Sequence, residues 1–139
     1  MTVAPRIIVL TPVRNEAWIL DRFLAVTSRF ADQIILADQH STDDGRAIAA
    51  RYPKVALIEN PSHGFNEAER QLLLLEAARR LAPGPRLLLA LDADELLAAD
   101  APASPDWQRM LAAPPGTVLG LERVDLLNDL RMFRRTFAF

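Results

Sequence analysis

The chain of 139 residues contains no cysteine. That excludes disulfides, zinc–thiolate sites and thiol nucleophiles, and it suits a reducing compartment. Lysine is nearly missing too: Lys54 is the only one, and every other basic side chain is arginine. With many alanines and leucines, this points to a GC-rich genome rather than to a function. There is no basic excess. The formal net charge is −2, whereas a nucleic-acid binder ordinarily carries a basic stripe or surplus, so no nucleic-acid partner is expected. Long apolar runs are absent as well. The longest uncharged one, Leu87 to Leu91, falls far short of the ~20 residues a membrane span needs. No basic segment followed by a long apolar stretch opens the chain, so no signal peptide is expected and the protein reads as cytoplasmic. Glycine-rich phosphate loops of the Gly-x-Gly-x-x-Gly or Gly-x-x-x-x-Gly-Lys-Ser/Thr kind do not occur, which argues against a dinucleotide fold or a P-loop.

What is present is the profile of one soluble globular domain spanning residues 1–139, half of them apolar. Arg6 to Thr11 is a short apolar run ending at Pro12, which favours a buried strand. From Asn15 to Phe30, Leu20, Phe23, Leu24 and Thr27 fall on one helical face. Gln33 to Ala37 is a second strand, closed by the polar cluster Asp38 to Gly45. Ser41 or Thr42 is expected to cap the next helix, with Asp43 and Asp44 suited to its dipole. Val55 to Ile58 is a third strand. A helix follows from about Asn66 to Leu81, in which Leu72 to Leu75 is most simply core. Arg86 to Leu91 is a fourth strand. Beyond it, prolines divide a loop-rich stretch holding a short helix near Trp107 to Leu111, and Thr117 to Val124 is expected as a fifth strand. Such alternation predicts an α/β fold, a mostly parallel sheet with helices on both faces. Ligands then bind outside the carboxyl ends of the strands.

The loops at that edge, Thr11 to Glu16, Asp38 to Asp43, Glu59 to Gly64 and Asp92 to Glu95, all carry carboxylates. In Asp92-Ala-Asp94 two acids stand two residues apart. If the segment is extended they point to the same side, with Cα atoms ~6.5–7 Å apart. Paired carboxylates raise each other's pKa unless a cation neutralises them. Mg²⁺ or Mn²⁺ does this and keeps positions free for diphosphate oxygens. The plainer alternative is a strand end passing into a helix capped by Asp92 or Asp94. Asp38, at the tip of the second strand, suits either a bond from the N–H of a uracil or guanine base or an Asx-turn. In Thr11 to Glu16, backbone N–H groups and polar side chains could hold a base and ribose, with Arg14 reaching a phosphate. Asn15 as a cap and Glu16 as a dipole partner are the ordinary roles. His40 and His63 lack partners at metal-ligand spacing, and Arg70 belongs by default to a solvated helix face.

Together, strand-Thr-Pro-Val-Arg-Asn-Glu-Ala, strand-Ala-Asp38-Gln-His-Ser-Thr-Asp43 and Leu91-Asp-Ala-Asp-Glu95 resemble the inverting family 2 glycosyltransferases of GT-A fold. The flavour is that of the bacterial lipopolysaccharide-core glucosyltransferases, and the likeness covers roughly residues 6 to 98. It implies that Thr11, Pro12, Asn15 and Glu16 surround the nucleoside and that Asp38 contacts the base. It further implies that Asp92 approaches the ribose or the metal, that Asp94 is the direct ligand of Mg²⁺ or Mn²⁺, and that Arg70 matches an arginine of the helix before the metal motif. The partners so implied are a nucleoside-diphosphate sugar donor and a saccharide or lipid-linked acceptor, with association at a membrane face and no transmembrane segment. Two departures stand out. The family commonly has two adjacent acids at the second strand, and here the second is Gln39; the Leu81 to Pro85 loop is also longer than usual. The resemblance further implies a chain truncated on its acceptor side, without an assigned general base. Asp125 and Asp129 lie in the expected region, but no spacing selects either. A nucleotide-sugar-binding module without turnover is the alternative. A sugar nucleotidyltransferase would want a glycine-rich loop after the first strand, which Thr11 to Glu16 is not.

Overall fold

The computed structural model describes residues 4–126 and 133–136. Its elements are β1 (Arg6–Val13), α1 (Ala17–Thr27), β2 (Gln33–Asp38), α2 (Gly45–Ala49), β3 (Val55–Glu59), α3 (Glu67–Leu81), β4 (Arg86–Ala90), α4 (Pro105–Leu111), β5 (Arg123–Leu126) and β6 (Phe133–Thr136). They fall into two compact units, residues 1–104 and 105–139.

In the first unit the strands lie in the order β3-β2-β1-β4, all parallel. β1 and β2 are central and read as nearly unbroken apolar runs because both of their faces are covered. Alternation along the strands sorts their side chains. Ile8, Leu10, Ile35 and Ala37 pack with Leu74, Ala77 and Ala78 of α3, and Ala56, Ile58 and Leu88 join them. Ile7, Val9, Ile34 and Leu36 form the alternate set and are equally buried. Right-handed crossovers put α1 and α2 on that second face, since both connections run in one direction across the sheet. The β3–α3–β4 connection returns past β2 and β1, so α3 covers the first face. The expected α/β fold with helices on both faces is thereby met.

Helix α1 buries Leu20, Phe23, Leu24 and Thr27, the face read from spacing. Tyr52 and Arg51, just after α2, both bond Asp21 of α1 and hold the two helices together. In α3, Asn66 is the N-cap and its side chain accepts from the Glu69 N–H, while Glu67 and Glu69 suit the positive end of the helix dipole. Of Leu72 to Leu75 only Leu74 is fully buried, and Leu72 is 52% exposed. Four consecutive residues span all sides of a helix, so they cannot all face one sheet.

Polar side chains at the amino end of the sheet are spent on backbone. Asp32 accepts from Ile7 N–H at 2.7 Å, Lys54 donates to the carbonyls of Ser28 and Ala31, and Arg86 to those of Ala82 and Gly84. These bonds tie the turn before β2 to β1, the end of α1 to the start of β3, and the end of α3 to β4.

In the second unit, α4 buries Trp107 and Met110, and β5 pairs antiparallel with β6. The strand expected over Thr117 to Val124 is thus displaced. Residues 117–122 have no regular structure, and the strand starts at Arg123 and belongs to a separate two-stranded sheet. The apolar residues Val118, Leu119 and Leu121 that suggested it are exposed.

Candidate functional site

The chain runs outward from β1 through β2 to β3 and then returns to add β4 on the other side of β1, so the strand order reverses between β1 and β4, the switch point of the sheet. That is where α/β sheets open a crevice for ligands. The loops after β1 and β4 meet there, with the loop after β2 beside them.

Strand β1 runs two residues further than its apolar run suggested. Thr11 and Pro12 are inside it, paired with Leu36 and Ala37, and both are buried. Pro12 lies past the last residue of β1 that pairs with β4, where its missing N–H is tolerated. The Thr11 hydroxyl is buried without a hydrogen-bond partner. The exposed part of the segment begins at Arg14. Asn15 has φ 54°, a left-handed conformation that asparagine tolerates better than most residues.

Asn15 ties this loop to the next one. Its N–H donates to Ser41 Oγ at 2.9 Å, and its Oδ1 accepts from Thr42 N–H at 2.7 Å. Asp43 adds a third bond, accepting from Ala17 N–H at 2.8 Å and so serving the start of α1. The expected cap of α2 by Ser41 or Thr42 is therefore not made. Helix α2 starts at Gly45 with Asp44 as N-cap and no cap bond from the Asp44 side chain; Ser41 and Thr42 are engaged across the gap, and Asp43 accepts from both Ala17 N–H and, at 3.0 Å, Gly45 N–H.

Asp92 to Glu95 is a β-turn, closed by Glu95 N–H to the Asp92 carbonyl at 2.9 Å and by Asp92 N–H to Glu95 Oε2 at 2.9 Å. The segment is neither the extended pair nor the capped helix start that the spacing allowed. Asp92 and Asp94 nevertheless share one field. Partial burial raises Asp92 above its ordinary value, the charges of Glu95, Asp94 and Glu67 add to the rise, and Arg70 opposes it. Glu16 is raised as well, first by burial and then by Asp94, Asp92 and Asp43, against the hydrogen bond it accepts from the Trp18 indole at 2.9 Å. Carboxylates from three loops thus converge at the switch point. Hard oxygen donors in a negative field fit Mg²⁺ or Mn²⁺. Among the described residues no three metal-ligating side chains form a ready cage, so an ion held here would need oxygens from a ligand to complete its shell.

Arg70, one of the candidate residues, is in this field. It stacks over Phe65 with 5.0 Å to the ring centroid, its Nη1 reaches Glu67 at 3.2 Å, and its Nε is buried without a partner. A guanidinium here suits a phosphate.

Asp38 is 1% exposed and pairs with Arg46 at 2.6 Å. Arg46 in turn grips Glu59 with both terminal nitrogens, at 2.6 and 2.7 Å. The contact with Arg46 holds the Glu59 carboxyl below its ordinary value. Gln39 is buried and donates to the carbonyls of Ser62 and Gly64. Its side chain anchors the loop between β3 and α3. His40 and His63 stack in parallel at 4.4 Å across the same pair of loops. Arg46 and Glu59 were missed by sequence reasoning, the usable signal being an arginine eight residues after a buried acid, at the start of the following helix. Asp125 pairs with Arg123 at 3.0 Å, and Asp129 lies outside the described residues.

No family model matches the chain, and no curated protein does. Among solved structures it is similar to glucosyl-3-phosphoglycerate synthase from Mycobacterium tuberculosis, in complex with Mn²⁺, uridine diphosphate and glucosyl-3-phosphoglycerate. The identity is 20% and the TM-score 0.49, over 65% of this chain and 34% of that one. The chain spans about a third of the length of that relative.

Proposed function

We propose that the chain is the donor-binding half of an inverting family 2 glycosyltransferase, of the lipopolysaccharide-core glucosyltransferase kind. It takes a nucleoside-diphosphate sugar with Mg²⁺ or Mn²⁺ and serves a saccharide or lipid-linked acceptor. The observation that carries this is the convergence of Glu16, Asp43, Asp92 and Asp94 at the β1/β4 switch point, with Arg70 the cation in their field. Raised carboxylates beside a crevice mark a site whose charge a ligand completes. The order of the three motifs along the chain supports the same reading.

In the reaction, the acceptor hydroxyl oxygen bonds to the anomeric carbon as the bond from that carbon to the diphosphate oxygen breaks. The hydroxyl proton passes to a base supplied beyond the residues assigned here. A bound divalent ion supplies charge neutralisation of the departing diphosphate. Asp94 and Asp92 would hold it, Arg70 and Arg14 would face phosphate oxygens, and Asn15 and Glu16 would line the nucleoside. Thr11 and Pro12 form the buried floor of that segment. A binding module without turnover is the second reading, favoured by one observation: Asp125, a candidate base, is already paired with Arg123.

The test is calorimetric titration of UDP and GDP with and without Mn²⁺, beside Asp94→Ala. Metal-dependent binding lost in the variant is the expected result. Transfer of labelled sugar to an acceptor, abolished in the same variant, would separate the enzyme from the binding module. If neither nucleotide binds under either condition, the donor-site reading fails.

A further inference from the structure

We propose that Trp18 is the stacking platform for a neutral pyranose ring at the rim of the crevice, with Glu16 accepting a hydroxyl from that ring; this rests on the donor-site reading above. The core does not account for Trp18. Leu20, Phe23, Leu24 and Thr27 form the buried face of α1, and Trp18, about 200° around the helix from Leu20, is 73% exposed. Helix propensity does not call for it either, since tryptophan ranks below alanine and leucine there. Among the described residues of the first unit two large aromatic side chains are exposed. Phe65 has the Arg70 guanidinium over its face at 5.0 Å. Trp18 is engaged at its edge instead. Its indole N–H donates to Glu16 Oε2 at 2.9 Å, and among the described residues its side chain makes no other hydrogen bond or ring contact.

That bond holds the indole where charge is concentrated. The Glu16 carboxylate lies in the field of Asp94, Asp92 and Asp43, with Asp94 acting on it most strongly. The ring therefore stands beside the acids assigned to the metal and the diphosphate. A pyranose carries C–H bonds on one face and hydroxyls around its edge. The C–H face suits the negative face of an indole, and a hydroxyl donates to a carboxylate next to it. Glu16 has acceptor capacity left, because a carboxylate offers about four lone-pair sites and the indole fills one. Other occupants fit less well. An anionic lipid surface is repelled by the same acids. A quaternary ammonium wants a cage of several rings, whereas Trp18 offers one. A divalent ion in the crevice also cancels the attraction for a second cation.

The experiment uses the contrast between the two tryptophans of the chain. Trp107 is buried and Trp18 exposed, so acrylamide quenching of fluorescence reads Trp18. Methyl β-glucoside, lactose and UDP-glucose are titrated into the whole chain, with and without Mn²⁺ and UDP. Expected is protection of Trp18 from acrylamide by the sugars. Protection by UDP-glucose beyond that by UDP assigns the ring to the donor. Protection by the free glycosides on top of Mn²⁺ and UDP assigns it to the acceptor. Glycoside affinity, read by saturation-transfer NMR, should weaken about threefold to tenfold in Trp18→Ala and persist in Trp18→Phe, which keeps a ring without the N–H. If none of the three sugars protects Trp18, or if Trp18→Ala binds the glycosides as well as the wild type does, the inference is overturned. It falls equally if tetramethylammonium or phosphatidylcholine vesicles protect Trp18 and the sugars do not. Calorimetry of UDP with Mn²⁺ on the same samples tests the donor site separately. Nucleotide binding without sugar protection removes this inference alone, and absence of both removes the reading beneath it as well.

Discussion

At the amino end of the parallel sheet, Asp32, Lys54 and Arg86 each finish on backbone groups at a strand start or a helix end. At the carboxyl end the polar residues divide. Asn15, Ser41, Asp43 and Gln39 are likewise committed to loops, yet Glu16 and Asp92 are raised, first by burial and then by the negative field of the neighbouring acids. Folding alone does not call for such a field, since like charges brought together weaken the folded state. One end of the sheet is thus optimised for the fold, and the other keeps an unbalanced charge that a cation and a diphosphate can use.

Four changes would break or sharpen that contrast. The largest effect should come from the scaffold that both ends share: Leu74→Ala removes the one fully buried leucine of its run in α3 and should cost about 2–5 kcal/mol in denaturant unfolding. Next, Asp94→Ala at the carboxyl end should weaken Mn²⁺-dependent UDP binding by roughly 100-fold while leaving the chain at least as stable without metal. Calorimetry and a melting curve would read the two separately. A drop in melting temperature would show that the acid serves the fold. Asp32→Ala at the amino end should do the converse, losing about 1 kcal/mol of stability with UDP affinity unchanged. The smallest effect is on pH dependence. Asp92 takes up its proton more readily folded than unfolded, so its stabilising contribution grows as pH falls through its raised folded value toward the ordinary one, and is lost as pH rises through that window. Asp92→Asn should therefore raise the neutral-pH melting temperature slightly, discounted for solvent screening, and flatten the acid side of the profile. Saturating Mn²⁺ should erase the gain. An unchanged profile would mean the acids do not feel one another.

Much of the fold was legible because β1 and β2 are buried on both faces and carry apolar runs that punctuation by Pro12 and Asp38 bounds. The α1 face followed from spacing alone. The strand expected over Thr117 to Val124 failed for a physical reason. An apolar run signals a strand only if something covers it, and Val118 is 94% exposed. At the site, the residues of the β1, β2 and β4 loops were legible by position. Their partnerships were not. Nothing local says that Asp43 serves the first turn of α1 or that Arg46 bridges two strands. Those bonds join residues that only the topology brings together.

The three bonds from Asn15 and Ala17 to the β2–α2 loop have a thermodynamic consequence. Two loops stitched into one piece have already given up their conformational freedom during folding. A ligand settling between them does not pay again to order that backbone, so more of its contact energy appears as affinity. Asn15→Gly, which removes the bond to Thr42 and leaves the two backbone N–H donors, would return part of that entropy to the unliganded state. The loss would appear in calorimetry as a less favourable entropy of binding, even if Asn15 never touches the ligand.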